Sequence, residues 1–124
     1  MNAIAAPRTL FARPYGKVAP DQVQDLIDQR RAILLDVREP HEWHAGHAEP
    51  ARHIPLSALP ARLTDLPVGR PVVTVCRSGM RSARAAALLA RHGHEVYNLA
   101  GGMTAWARAG LPVRAYGGGP GRVV

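Results

Sequence analysis

Two short apolar runs constrain this chain more than anything else in it. They are "AILLDV" (Ala32–Val37) and "PVVTV" (Pro71–Val75). Each is far shorter than the roughly 20 apolar residues of a membrane span. Neither shows the apolar–polar alternation of a strand with one wet face, so each reads as a strand covered on both faces. Helical signals lie between and around them. "APDQVQDLIDQRR" has Pro20 and Asp21 at its start and Val23, Leu26 and Ile27 on one face. "EPHEWHAGH" reads as a short helix ending near Gly46. "RHIPL" carries a brief strand before Pro55, and "SALPARLTDL" a helix broken near Pro60. The clearest helix runs from Ser78 or Gly79 to His92, with Met80, Ala83, Ala87 and Ala90 on one stripe, Leu88 and Leu89 beside it, and Gly93 as its stop. "EVYNL" (Glu95–Leu99) is a third strand, and "GGMTAWARAG" (Gly101–Gly110) a last short helix with Trp106 turned inward. Strands alternating with helices imply a parallel sheet covered on both faces, and such sheets bind ligands beyond the carboxyl ends of their strands.

The 124 residues suffice for one domain. No internal repeat is visible. Residues 1–16 read as a flexible N-terminal arm, 17–114 as the folded domain, and 115–124, rich in glycine, as a flexible tail. The start has no cationic head joined to an unbroken apolar stretch, and Pro7 and Pro14 interrupt it, so no leader or membrane partner is expected. One cysteine allows no internal disulfide, which fits a reducing, cytoplasmic setting. The net charge of +7 suits anionic partners. The arginines are scattered, though, and only 5% of residues are aromatic, so no nucleic-acid platform is expected. A monomer is the default for a domain of this size.

The single cysteine, Cys76, sits where the "PVVTV" strand ends and the helix begins. Amides of such a turn have no intrahelical partner, and the helix dipole adds positive charge there. Gly79 lets the backbone turn tightly, and Arg77 and Arg81 bracket the turn. Helix N-termini and neighbouring arginines lower a thiol pKa from about 8.5 to as little as about 3.5–7.5. Cys76 therefore reads as a thiolate nucleophile rather than a packed, inert thiol. Two anion chemistries use such a turn, and spacing separates them. Cysteine-dependent phosphatases place five residues between Cys and Arg. Only four lie between Cys76 and Arg81, and Ser82 occupies the position such a loop needs for Arg. The smaller cradle suits a terminal sulfur better than a phosphoryl group.

At this point the sequence resembles a single-domain rhodanese, a sulfurtransferase. The pieces are "LLDVREPHEWHAGH", "HIPL", "CRSGMRS", "GHEVYNLAGGMTAW" and "AGLPV", in this order over roughly Val18 to Val113. The resemblance implies an α/β fold with a central five-stranded, mostly parallel sheet and helices on both faces. It implies that Cys76 takes sulfane sulfur from a small anionic donor such as thiosulfate and becomes a persulfide. A thiol, cyanide or sulfite acceptor then removes the sulfur. A persulfide relay to one protein acceptor, with little free thiosulfate turnover, is the alternative. Backbone amides from Arg77 through Ser82 would hold the outer sulfur, and Arg77 and Arg81 would attract the donor. Ser78 or Ser82 would add a hydroxyl, and Met80 would face the pocket mouth or pack in the helix core. Asp36, Arg38 and His47 would work from behind, orienting loops.

One departure stands out. "GHAEPA" (Gly46–Ala51) carries Glu49-Pro50 where the family usually has Pro-Gly, which would alter the pocket rim. His41, His44 and His47 recur every third residue, but nothing completes a zinc set, so neither a metal nor a cofactor is expected. Gly101-Gly102-Met103 lacks the Lys-Ser/Thr of a phosphate loop.

Overall fold

A computed structural model describes residues 14–124. The elements, in order, are β1 (Gly16–Val18), α1 (Pro20–Arg30), β2 (Ile33–Asp36), α2 (Pro40–Ala45), β3 (His47–Ala48), β4 (Arg52–His53), a 3-10 helix (Leu56–Asp65), β5 (Val72–Val75), α3 (Met80–Arg91), β6 (Val96–Leu99), α4 (Gly102–Arg108) and β7 (Val113–Arg114). The main sheet is ordered β1-β6-β5-β2-β4, and all its pairings are parallel. β3 and β7 form a separate antiparallel pair. β5 therefore lies at the centre, with its carboxyl end beside that of β2: Asp36 is in register with Val75.

The continuous apolar runs bury both faces because successive side chains alternate between two cores. Ile33, Leu35 and Val37 join Val72, Ala85, Ala86 and Leu89 under α3 and the 3-10 helix. Leu34, Val73 and Val75 join Val23, Met103 and Trp106 under α1 and α4. The two cores are what hold β5, and hence the residue after it, rigid.

Three expectations are corrected. The arm expected over residues 1–16 does not extend to 16: residues 1–13 lie outside the described residues, but Tyr15 packs on the first core and Gly16 opens β1. The buried stripe of α3 is Ser82, Ala85, Ala86 and Leu89, while Met80 stands 80% exposed. The Gly-rich end is tied down: Gly121 N–H donates to Val113 O at 2.9 Å, Arg122 N–H to Ala45 O at 2.9 Å, and Val123 packs on the second core. Of its glycines, Gly121 permits close approach of two backbones: a Cβ there would lie 2.7 Å from Ala115 N and 2.8 Å from Gly46 Cα. Among the described residues, no helix is long and apolar enough to cross a membrane.

Candidate active site

The chain leaves β5 at Val75, turns through Cys76–Gly79 and enters α3 at Met80. Gly79 takes φ +121°, a conformation that L side chains rarely adopt. This turn folds the amides back over the preceding residue. Gly79 N–H donates to Cys76 Sγ at 3.1 Å, and the Ser82 hydroxyl donates to it at 3.3 Å. Cys76 is 1% exposed. Burial pushes its pKa up. The hydrogen bonds from the Ser82 hydroxyl and from the backbone at Ser82, Gly79 and Ser78 outweigh that and bring it below the ordinary thiol value. The thiolate is thus stabilised by oriented hydrogen-bond donors.

The turn is held by residues distant in sequence. Met103 N–H donates to Cys76 O at 2.8 Å, and Thr104 N–H to Arg77 O at 3.1 Å, so the first turn of α4 clamps it from below. That approach is possible only because residue 102 lacks a side chain. A Cβ on Gly102 would lie 2.4 Å from Cys76 O and 2.5 Å from Arg77 O. From β6, Asn98 Nδ2 donates to Gly79 O at 3.1 Å. From β5, the buried Thr74 hydroxyl donates to Ser82 O at 2.9 Å.

Of the residues expected to touch substrate, Arg77 and Ser78 are exposed at the mouth. Met80 also points outward there. It lines, with Lys17, Ser78 and Asn98, a shallow cavity of about 300 Å³. Arg81 behaves differently from the expectation of a free bracketing charge. Its guanidinium forks onto Glu42 at 2.7 and 2.9 Å. The hydrogen bond from Arg81, which outweighs burial, holds the Glu42 carboxyl at about 2. Arg81 therefore fastens the start of α3 to α2, and its charge is largely matched.

Asp36 and Arg38 are fully buried at the end of β2. Arg38 Nε lies 3.0 and 3.1 Å from the two Asp36 carboxylate oxygens, and Nη2 reaches one of them at 2.7 Å. Nη2 also donates to Gly46 O at 2.7 Å, tying β2 to the α2–β3 link. His47 does not reach the cysteine turn by hydrogen bond. Its Nδ1 lies 2.8 Å from Trp43 O and its ring stacks on Trp43 at 3.6 Å. His53 stacks on the same indole at 4.8 Å. Glu49 and Pro50 bound a separate cavity of about 170 Å³ with Trp106 and Pro112, which no residue of the cysteine turn lines. Neither residue lines the cavity beside the cysteine turn.

Sequence reasoning missed Glu42, Thr74, Asn98 and Gly102. Thr74 and Asn98 did leave a signal, as polar residues inside otherwise apolar strands. Glu42 left none.

A parallel α/β sheet with a hydrogen-bonded thiol at the end of its central strand defines a domain organised around that one cysteine. The family model "Rhodanese-like domain" matches residues 19–109, and the chain belongs to that family. It is 43% identical over 93 residues to a protein named sulfurtransferase from Allochromatium vinosum, spanning 74% of this chain and 87% of that one. It is 34% identical over 93 residues to the thiosulfate sulfurtransferase GlpE of Vibrio cholerae, spanning 74% of this chain and 88% of that one. Among solved structures, a rhodanese-related protein from Thermoplasma volcanium superposes with a TM-score of 0.74 at 29% identity, covering 80% of this chain and 97% of that one.

Proposed function

We propose that this chain is a sulfurtransferase that moves sulfane sulfur from thiosulfate, or a related small anionic donor, to a thiophilic acceptor through a persulfide on Cys76. The observation that carries the reading is the Cys76 Sγ itself, buried yet accepting hydrogen bonds from the Gly79 amide and the Ser82 hydroxyl, which favour its ionised form. The names of its relatives support the class of reaction.

In the first step the Cys76 thiolate attacks the outer sulfur of thiosulfate. The new Cys76 S–S bond forms as the donor's S–S bond breaks, and sulfite leaves with the electron pair. The outer sulfur, now the anionic end of the persulfide, takes over the amide hydrogen bonds of the turn. Arg77, exposed at the mouth, attracts the dianionic donor. In the second step a nucleophile such as cyanide attacks the outer sulfur. The persulfide bond breaks, thiocyanate departs, and the Cys76 thiolate is restored. A covalent intermediate between two half-reactions gives ping-pong kinetics. Asp36 and Arg38 hold the neighbouring strand end without touching the sulfur.

Intact-protein mass spectrometry after incubation with thiosulfate tests the reading. Wild type should gain one sulfur atom, lose it to cyanide with release of thiocyanate, and Cys76→Ala should gain none. A folded wild type that gains no sulfur from thiosulfate or another sulfane donor would overturn it.

A further inference from the structure

A groove of about 730 Å³ lies between the 3-10 helix and α3. It starts at Arg81, whose neighbour Ser82 donates to Cys76 Sγ, and runs away from the turn along α3. Leu56 and Pro60 line one side, Ala87 and Leu88 the other. Arg81, Arg84, Leu88 and Arg91 fall at i, i+3, i+7 and i+10, which puts them on one face of the helix. Arg84 and Arg91 are exposed there. Neither forms an ion pair among the described residues, whereas Arg81 is matched by Glu42. Glu39 is the carboxylate that lines the groove. Its polar wall therefore carries two unmatched guanidiniums above an apolar floor.

Thiosulfate and cyanide are a few atoms each, and the groove is far larger than either needs. Its length suits a chain. From residue 81 to 91 the helix advances about 15 Å, the reach of about five extended residues at 3.3 Å each. We infer that this groove docks an extended acidic segment of a protein that accepts the Cys76 sulfur, alternate side chains contributing carboxylates to Arg84 and Arg91 and apolar groups to the floor. The inference rests on the sulfurtransferase reading for the transfer itself, but not for the docking. The exposed Met80 on the other side of the turn offers such a partner a second, adaptable contact.

Binding is measured first, without chemistry. The probe is a labelled peptide of about six residues, alternating Glu and Leu and ending in Ser where an acceptor would have Cys, titrated against the full chain by fluorescence anisotropy. Lys/Leu and Gln/Leu peptides of the same length are the controls. The acidic peptide should bind about tenfold tighter than the neutral one at low salt, from two exposed charge pairs less the cost of ordering. The preference should shrink as salt screens it. It should vanish in R84Q/R91Q and invert toward the Lys/Leu peptide in R84E/R91E, with thiosulfate loading of Cys76 unchanged in both. Equal binding of acidic and neutral peptides would overturn the inference. So would an acidic preference that survives R84E/R91E, or a single-stranded oligonucleotide outcompeting the acidic peptide at the same arginines. Replacing Ser by Cys then reads transfer: sulfur should pass to the acidic Cys peptide faster than to the neutral one, while a small uncharged thiol shows no difference between wild type and R84Q/R91Q. Failure to load Cys76 in any variant would strike the sulfurtransferase reading alone, because the binding titration does not depend on it.

Discussion

Gly102→Ala is the sharpest perturbation of the clamp beneath the cysteine turn. The new Cβ would sit 2.4 Å from Cys76 O and 2.5 Å from Arg77 O. Ordinary C···O contacts begin near 3.3 Å, so the turn and α4 must separate by about 0.9 Å. Two costs follow from this buried, left-handed position at φ +60°. The backbone conformation disfavours an L side chain by about 1–2 kcal/mol. Overpacking, together with weakening of the Met103 and Thr104 hydrogen bonds, adds about 2–4 kcal/mol. The total is about 3–6 kcal/mol. Gly93→Ala is the matched control. Gly93 has φ +87° and nothing within 4 Å of an added Cβ. It keeps the conformational cost and lacks the collision, so it should lose about 1–2 kcal/mol. Urea unfolding of both variants gives the comparison, and thiosulfate loading of Cys76 gives the second readout, which should fall in Gly102→Ala and stay intact in Gly93→Ala. If the two variants unfold within about 1 kcal/mol of each other and load equally, the clamp does not support the cysteine turn.

Other outcomes follow from the same contacts. Alkylation of Cys76 by iodoacetamide should show a midpoint below that of an ordinary thiol, and Ser82→Ala should move it upward by removing the hydroxyl donor. Because the folded thiol is depressed, its contribution to stability is fully present above the ordinary thiol pKa and is lost as pH falls through the folded value. The stability difference between wild type and Cys76→Ser should therefore rise with pH across that window. Glu42→Gln should cost about 1–2 kcal/mol at neutral pH, the shift from 4.5 to about 2 being discounted because the Arg81 side chain is 35% exposed. That cost should shrink as pH falls from 4.5 toward 2, as urea melts in acid will show. Asp36→Asn leaves Arg38 charged and unpaired in the interior, so it should cost about 3–5 kcal/mol. The double variant D36L/R38M should regain part of that loss in thermal melts.

Much of the fold could be read before the structure because its central strands are continuous apolar runs bounded by breakers. The edges could not. β1 is three residues long and β3 and β7 two each, too short for any periodic pattern. The face of α3 was misjudged because alanines at 83, 85, 86, 87 and 90 give no contrast between inside and outside. Ser82, buried beside Cys76, looks like a surface residue in one dimension. In the candidate site, Cys76 and its turn were legible because strand end, thiol, glycine and helix start are contiguous. The partners of that turn were not. Glu42, Asn98 and Met103 reach it only through the parallel sheet order, which sets residues far apart in the chain side by side. Arg81 looked like a free cation for the same reason: the carboxylate that matches it lies 39 positions earlier in the chain.

The clamp also sets a timetable for the growing polypeptide. Synthesis delivers Cys76 well before Gly102, Met103 and Thr104, and β1 must wait for β6, about 80 residues later, before it has a neighbour. A ribosome-bound chain that ends just past Cys76 has its thiol but neither the support beneath the turn nor one side of the central sheet. In that intermediate the carbonyls of Cys76 and Arg77 lack the Met103 and Thr104 amides that hold them in the folded domain. The turn around Cys76 therefore gains its full set of backbone partners only after the start of α4 has emerged.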